Sequence, residues 1–161
     1  MDERLHDRIL GVLENNRIMS LATTRPDGWP QVTTVGFAHE GLTLYFLCGR
    51  ESQKAHNLAH DDRVSLTVDH DTPQVMQIEG VSMAARAQPV TDPAEAQKAL
   101  NLLMRRYPPQ EGIDLPMPKP GDVAIFRVTP TVVSVLDYTK GFAHTDLVEC
   151  GADAPQPVLA D

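Results

Sequence analysis

Two β-rich runs separated by a tight turn signal constrain this chain most. Ile18 to Thr24 and Trp29 to Phe37 carry many β-branched residues, and Pro26-Asp27-Gly28 lies between them. An Asp-Gly pair with such flanks specifies an antiparallel hairpin. More strand-like runs follow: Leu42 to Cys48 after a turn at His39-Glu40-Gly41, Arg63 to Asp69, Val75 to Gln88 with a bend at Gly80, and Asp122 to Tyr138 with Pro130 as an interruption. Helices are expected over Asp2–Glu14, where Leu5, Ile9, Leu10, Val12 and Leu13 recur at helical spacing, over about Glu51–Ala59, and over Thr91–Arg106. Strands dominate and regular βαβ alternation is missing, which disfavours a doubly wound parallel sheet. The expected class is mainly β: an antiparallel β-barrel of about six strands with three peripheral helices.

The 161 residues suit one domain, placed at 1–140, with 141–161 as a partly disordered C-terminal tail and Pro108–Pro120 as loop. No apolar run is long enough to span a bilayer, and Met1-Asp2-Glu3-Arg4 lacks the apolar stretch of a secretory signal. The expectation is therefore a cytoplasmic protein with no membrane partner. A net charge of −8 argues against nucleic acid, whose phosphates need a basic face. It leaves room for a small anion held by local positive charge. Cys48 and Cys150 match no metal spacing and read as free thiols.

The run Tyr45-Phe46-Leu47-Cys48-Gly49-Arg50-Glu51-Ser52-Gln53-Lys54 carries the main functional signal. A strand ends, a glycine turns the chain, and Ser52 and Lys54 open a helix. Free N–H groups and the positive end of a helix dipole suit a phosphate, with a hydroxyl and an ammonium beside them. An ordinary helix start with Ser52 in its first turn is the plain alternative.

This run resembles the phosphate-binding segment of the pyridoxamine 5′-phosphate oxidase-like proteins, flavin-binding split barrels with a Glu-Ser-Arg-Lys run before an Asn-Leu helix. The resemblance covers about Ile9 to Tyr138. It takes in the Ala22-Thr23-Thr24 to Pro30 hairpin, Asn57-Leu58, Asp62-Arg63-Val64 and Ile78-Glu79-Gly80. It implies an FMN-binding split barrel and a homodimer with cofactor at the subunit interface, acting as an oxidoreductase on a small-molecule substrate. It also implies that Ser52 and Lys54 hold the phosphate and that Val32, Thr33, Thr34 and Val35 lie against the isoalloxazine ring. Leu47 and Cys48 would border the ring or ribityl chain. Where Gln53 stands, and near Gln31, the oxidases have arginines, so Arg50 is the candidate for a compensating cation. The oxidases end in an Arg-x-His segment, whereas this chain has Asp137 to Thr145, which implies a substrate other than pyridoxamine phosphate. Relatives of the fold bind deazaflavin F420 or haem, so a non-catalytic cofactor-binding protein is the alternative.

Among the six histidines, His56 and His60 share a helix face without a third ligand, so no metal is expected. His144, beside Phe142, is the one catalytic candidate, to position substrate or donate a proton near the flavin. Arg105-Arg106-Tyr107 reads as cations complementing a helix dipole. Met76, Met83 and Met104 read as core filler, and Trp29 as a core, stacking or interface residue.

Overall fold

A computed structural model describes residues 2–108, 110–112 and 121–151. The chain order is α1 (Glu3–Asn15), β1 (Ile18–Thr24), β2 (Pro30–Gly36), β3 (Ala38–Glu40), β4 (Thr43–Gly49), α2 (Gln53–His60), β5 (Arg63–Asp69), β6 (Glu79–Pro89), α3 (Pro93–Arg106), β7 (Val123–Asp137) and β8 (Thr145–Glu149). All pairings are antiparallel, and the strands lie in the order β2-β1-β5-β6-β7-β4-β3, with β8 also on β7. The sheet curls into a split barrel, as the strand pattern implied.

Strand alternation explains the curl. In β5 every second residue is buried (Val64, Leu66, Val68) and the others are exposed. The same period in β1 sends Met19, Leu21 and Thr23 inward. These meet Phe37, Leu44, Phe46, Met83, Val128 and Val133 in one core, which Ile9 and Leu13 of α1 close on one side. Phe46 and Phe126 stack there with ring centroids 5.3 Å apart.

Several details depart from the sequence pattern. His39 and Glu40 belong to β3, and Gly41, at φ 58°, makes the turn alone with Leu42. Two strands, β3 and β8, are too short for the pattern to show, so the described residues hold eight strands. Val75–Gln77 is a 3-10 turn, and β6 starts only at Glu79. The sheet irregularity falls at Ala84/Ala85 and not at Gly80. Gly80 instead permits close packing: a Cβ there would lie 3.0 Å from the Val68 carbonyl oxygen. Pro130 does not divide β7. Val132 faces Ala84 and Pro130 faces Ala85, so Thr131 is the extra residue of a β-bulge, a place where a strand tolerates proline. The Thr131 hydroxyl donates to the Ala84 carbonyl at 3.0 Å.

Met83 is buried, but Met76 and Met104 are about half exposed and are not core filler. Trp29 is 72% exposed, which removes the core-packing reading. Most of the Pro108–Pro120 stretch and the chain beyond Gly151 lie outside the described residues. The segment assigned to the tail supplies β8, which pairs with Val132–Leu136 of β7. No helix among the described residues is long and apolar enough to cross a membrane.

β7 organises the sheet. Its first half pairs with β4 and its second half with β8 along the same edge, while β6 takes the other edge. At the opposite end of the sheet β2 bonds only to β1 among the described residues. A seam therefore opens between β2 and β4, and α2 packs on both β1 and β4 across it.

Candidate functional site at the head of α2

The backbone after β4 is held at each step. Arg50 N donates to the Asp122 carbonyl at 3.1 Å, and Ser52 N donates to the Gly49 carbonyl at 3.1 Å. Ser52 is then the N-cap, extended at φ −70° and ψ 151°, and its Oγ accepts from Ala55 N at 3.2 Å. Capping Ala55 leaves the amides of Gln53 and Lys54 as the open donors of the first turn. The helix buries Asn57 and Leu58, so its second turn anchors it while the first stays accessible.

Asn57 is fully buried and ties α2 to the β1–β2 hairpin. Its Nδ2 donates to Thr23 Oγ1 at 2.9 Å and to Gln31 Oε1 at 3.0 Å, and its Oδ1 accepts from Gln53 Nε2 at 2.9 Å. The two glutamines that stand in place of basic residues are thus joined through one asparagine. The resemblance marks Asn57 only as part of an Asn-Leu pair, not as the link between these elements. The available clue was its i, i+4 spacing from Gln53.

Lys54 is half-buried and has no ion-pair partner among the described residues. Burial pushes its ammonium below the usual lysine range, and the neighbouring Cys48 pulls slightly the other way. The fold therefore brings Cys48, Ser52, Gln53, Lys54 and, through Asn57, Gln31 to one end of the seam. An unpaired, partly desolvated ammonium beside open helix amides suits an anion.

The remaining expected residues are placed as follows. Val32 is 65% exposed and Thr34 is exposed, both on the outer side of β2. Thr33 is half-buried, and its hydroxyl oxygen is buried without a partner among the described residues. Val35 is buried in the core. Leu47 and Cys48 are half-buried at the end of β4. Arg50 is exposed, and its Nε donates to the Gly121 carbonyl at 2.8 Å, toward the start of β7. His144 sits beyond the far end of β7, where its backbone carbonyl accepts from Asp137 N and its Nε2 lies 3.1 Å from Asp146 Oδ2. The head of α2 follows Gly49, which pairs with Val123 at the near end. Within one chain, His144 and Lys54 therefore flank opposite ends of the longest strand.

Two other charged clusters are held by ion pairs among their own residues. A depression of about 460 Å³ on the outer face has Ala22, Ser65 and Ala84 among its lining, with Arg63 and Arg86 at its rim. Both arginines are paired, with Asp61 at 2.7 Å and Asp62 at 2.6 Å. At the other end Arg8 joins Glu79 at 2.8 Å and the buried Asp137 at 3.0 Å, fastening α1 to the barrel. His56 lies 3.8 Å from Glu51, and no group of three potential ligands able to hold a metal occurs among the described residues. Both cysteines are free.

The split barrel, with a capped helix across its seam, defines the class of protein. The chain belongs to the pyridoxamine 5′-phosphate oxidase family, whose model matches residues 5–137. General stress protein 26 of Bacillus subtilis (strain 168) is 30% identical over 67 residues, 42% of this chain and 47% of that protein. The chain thus spans about half the length of this curated relative. A conserved hypothetical protein from Mycobacterium tuberculosis superposes with TM-score 0.69 at 25% identity, over 96% of this chain and 95% of that one. The haem storage protein HutZ from Vibrio cholerae gives TM-score 0.61 at 20% identity, over 78% of this chain and 89% of that one, a likeness of fold.

Proposed function

We propose that the protein is an FMN-dependent oxidoreductase acting on a small molecule other than pyridoxamine phosphate, as a homodimer with the cofactor at the subunit interface. The observation that carries this reading is the half-buried Lys54, without a carboxylate partner among the described residues, beside the open amides of α2. The residues present fit a flavin phosphate: one ammonium, two backbone donors and the neutral amide of Gln31. Ser52 serves the site indirectly, because its hydroxyl is engaged on Ala55 and fixes the helix head. The buried Thr33 hydroxyl is the remaining polar group on β2 that gains a partner if a polar ring edge lies there. A bound flavin supplies the hydride or electron transfer, and the protein supplies orientation and hydrogen-bond donors. In this reading Val32, Thr34, Leu47 and Cys48 border the ring and ribityl chain, and Trp29 and Val32, exposed in the single chain, meet the partner. His144 reaches a cofactor only if the partner's site lies near the far end of β7, so its catalytic role stands or falls with the dimer.

The second reading is a carrier or sensor of flavin, deazaflavin F420 or haem on the same barrel. A protein described as storing haem shares the fold. The absorbance spectrum of the purified protein separates the readings, since each chromophore absorbs differently. A flavin titration followed by fluorescence quenching then tests the site. Lys54→Ala should weaken FMN binding by about tenfold, the loss of one charge-assisted contact, and by less at high salt. Equal FMN binding by wild type and Lys54→Ala would move the phosphate elsewhere.

A further inference from the structure

We propose that the depression on the outer face of the sheet is a docking groove for this chain's own segment 155–160, Pro-Gln-Pro-Val-Leu-Ala. The proposal uses no residue at the head of α2 and is independent of the flavin reading.

Strand register builds the groove. Ala84 faces Ser65 and Ser65 faces Ala22, so three small side chains stand side by side across β6, β5 and β1 as a floor. Beside them Arg86 faces Arg63 and forms one wall. Like charges directly opposite in a ladder are destabilising, and each arginine here is held by a carboxylate, Asp62 and Asp61. Those contacts leave donors over. Among the described residues, Arg86 engages only Nη1, and Arg63 only Nε and Nη2. The groove crosses the strands from Thr131 on β7 to Pro30 on β2.

The point where the chain leaves the sheet selects the occupant. Cys150 N donates to the Thr131 carbonyl at 2.8 Å, which brings Gly151 out beside the residue at one end of the groove. From β7 to β2 the path crosses β6, β5 and β1, which at the usual strand spacing is about 19 Å. Six residues in the polyproline II conformation span about the same 19 Å, and residues 152–154 supply the link from Gly151. Pro155 and Pro157 favour that conformation, whose carbonyls have no partners within the segment and can accept from the spare arginine N–H groups. Val158 and Leu159 bring apolar side chains to the small-residue floor. Residues 152–161 include Asp153 and Asp161 and no lysine or arginine, which complements the arginine wall. A tether this short gives the segment a roughly millimolar effective concentration, so an affinity too weak for a free peptide is enough.

The test is paramagnetic broadening in the full chain. Ala160→Cys carries a nitroxide, and Cys48→Ala with Cys150→Ala leaves that thiol alone. Docking places the label at the β1–β2 end of the groove, so the amide peaks of Ala22 and Thr24 should be lost more strongly than those of Val132 and Glu149 beside the exit. Replacing the two apolar residues together, Val158→Asp with Leu159→Asp, should restore the β1 peaks, and so should Ala84→Arg, which fills the floor. Broadening greatest at Glu149, or β1 broadening unchanged by the two aspartates, overturns the proposal. So does loss of the β1 peaks in an isotope-labelled chain without nitroxide, mixed with an unlabelled chain that bears it, because a second copy's segment then fills the groove. Val158 and Leu159 lie beyond β8 in sequence, so the result stands whether or not Ala84→Arg folds.

Discussion

Arg105 and Arg106 are adjacent and alike in sequence, yet replacing each with methionine should have consequences of very different size. Arg105 is exposed and makes no hydrogen bond among those of the described residues. The Arg106 side chain is 12% exposed and turns back onto the end of α1. It donates to the carbonyls of Leu13 at 2.7 Å and Glu14 at 3.0 Å, and to that of Asn16. It also lies 5.5 Å from the Phe37 ring centre. Leu13 and Glu14 lie in the last turn of α1 and Asn16 is its C-cap, where carbonyls lack donor partners within the helix. A hydrogen bond to a charged donor contributes roughly 1.5–3 kcal/mol, and part of that is recovered when water reaches the exposed Glu14 side. Arg106→Met should therefore cost about 3 kcal/mol, and Arg105→Met less than about 0.5 kcal/mol. For a domain of this size about 3 kcal/mol lowers Tm by roughly 6–12 °C. Urea unfolding read by circular dichroism measures both variants against wild type. Equal midpoints for the two, or a loss below about 1 kcal/mol for Arg106→Met, would refute the capping argument.

Ser52→Ala should cost about 1 kcal/mol of stability through the lost N-cap while weakening FMN binding less than Lys54→Ala does. Parallel melts and titrations check this, and the reverse order would make Ser52 a direct ligand. Asp137 gives an acid-dependent signature. Burial pushes its carboxyl up, but the hydrogen bonds from Thr139, the charge of Arg8 and Lys140 together outweigh it and leave it below the usual range. A carboxyl depressed in the folded state stabilises above its unfolded pKa, about 3.9, and that stability is lost as pH falls through the folded value. The difference in unfolding free energy between wild type and Asp137→Asn should therefore be full at pH 6 and shrink below about pH 4; a constant difference down to about pH 2 would contradict it. Gly36→Ala places a Cβ 2.6 Å from the Tyr107 hydroxyl oxygen. It should destabilise by about 1–2 kcal/mol, and most of that cost should vanish in a Tyr107→Ala background, as a double-mutant cycle measures.

The sequence was most legible where a single local rule governs. β1 and β5 fall where period-two patterning puts them, and α3 begins within two residues of Asp92-Pro93. Legibility failed where a partner strand decides. β8 is five residues long and exists because β7 offers it an edge. Pro130 reads as a break until β6 is placed opposite and the extra residue becomes a bulge. The site shows the same division. Ser52 and Lys54 stand out as a helix start, whereas the Thr23–Asn57–Gln31 contacts join residues 26 and 34 positions apart. On the local pattern Arg106 serves its own helix. Its acceptors are about 90 residues away on α1, beyond the reach of any local pattern.

The position of β7 in the chain has a consequence for synthesis on the ribosome. β1, β2, β5 and β6 are all made by Pro89 and can pair among themselves as soon as they emerge. β4 is complete by Gly49, yet apart from the three-residue β3 its only strand partner among the described residues is β7, which ends at Asp137. A strand of the sequence Thr-Leu-Tyr-Phe-Leu-Cys-Gly thus waits through most of translation with one edge open. Long-range pairing of this kind is slow and exposes sticky edges on the way. The helix that follows β4 directly, with Leu58 buried against the rest, is the nearest cover such a nascent strand has. The segment that carries the proposed binding chemistry would then also shield its own scaffold until the last long strand arrives.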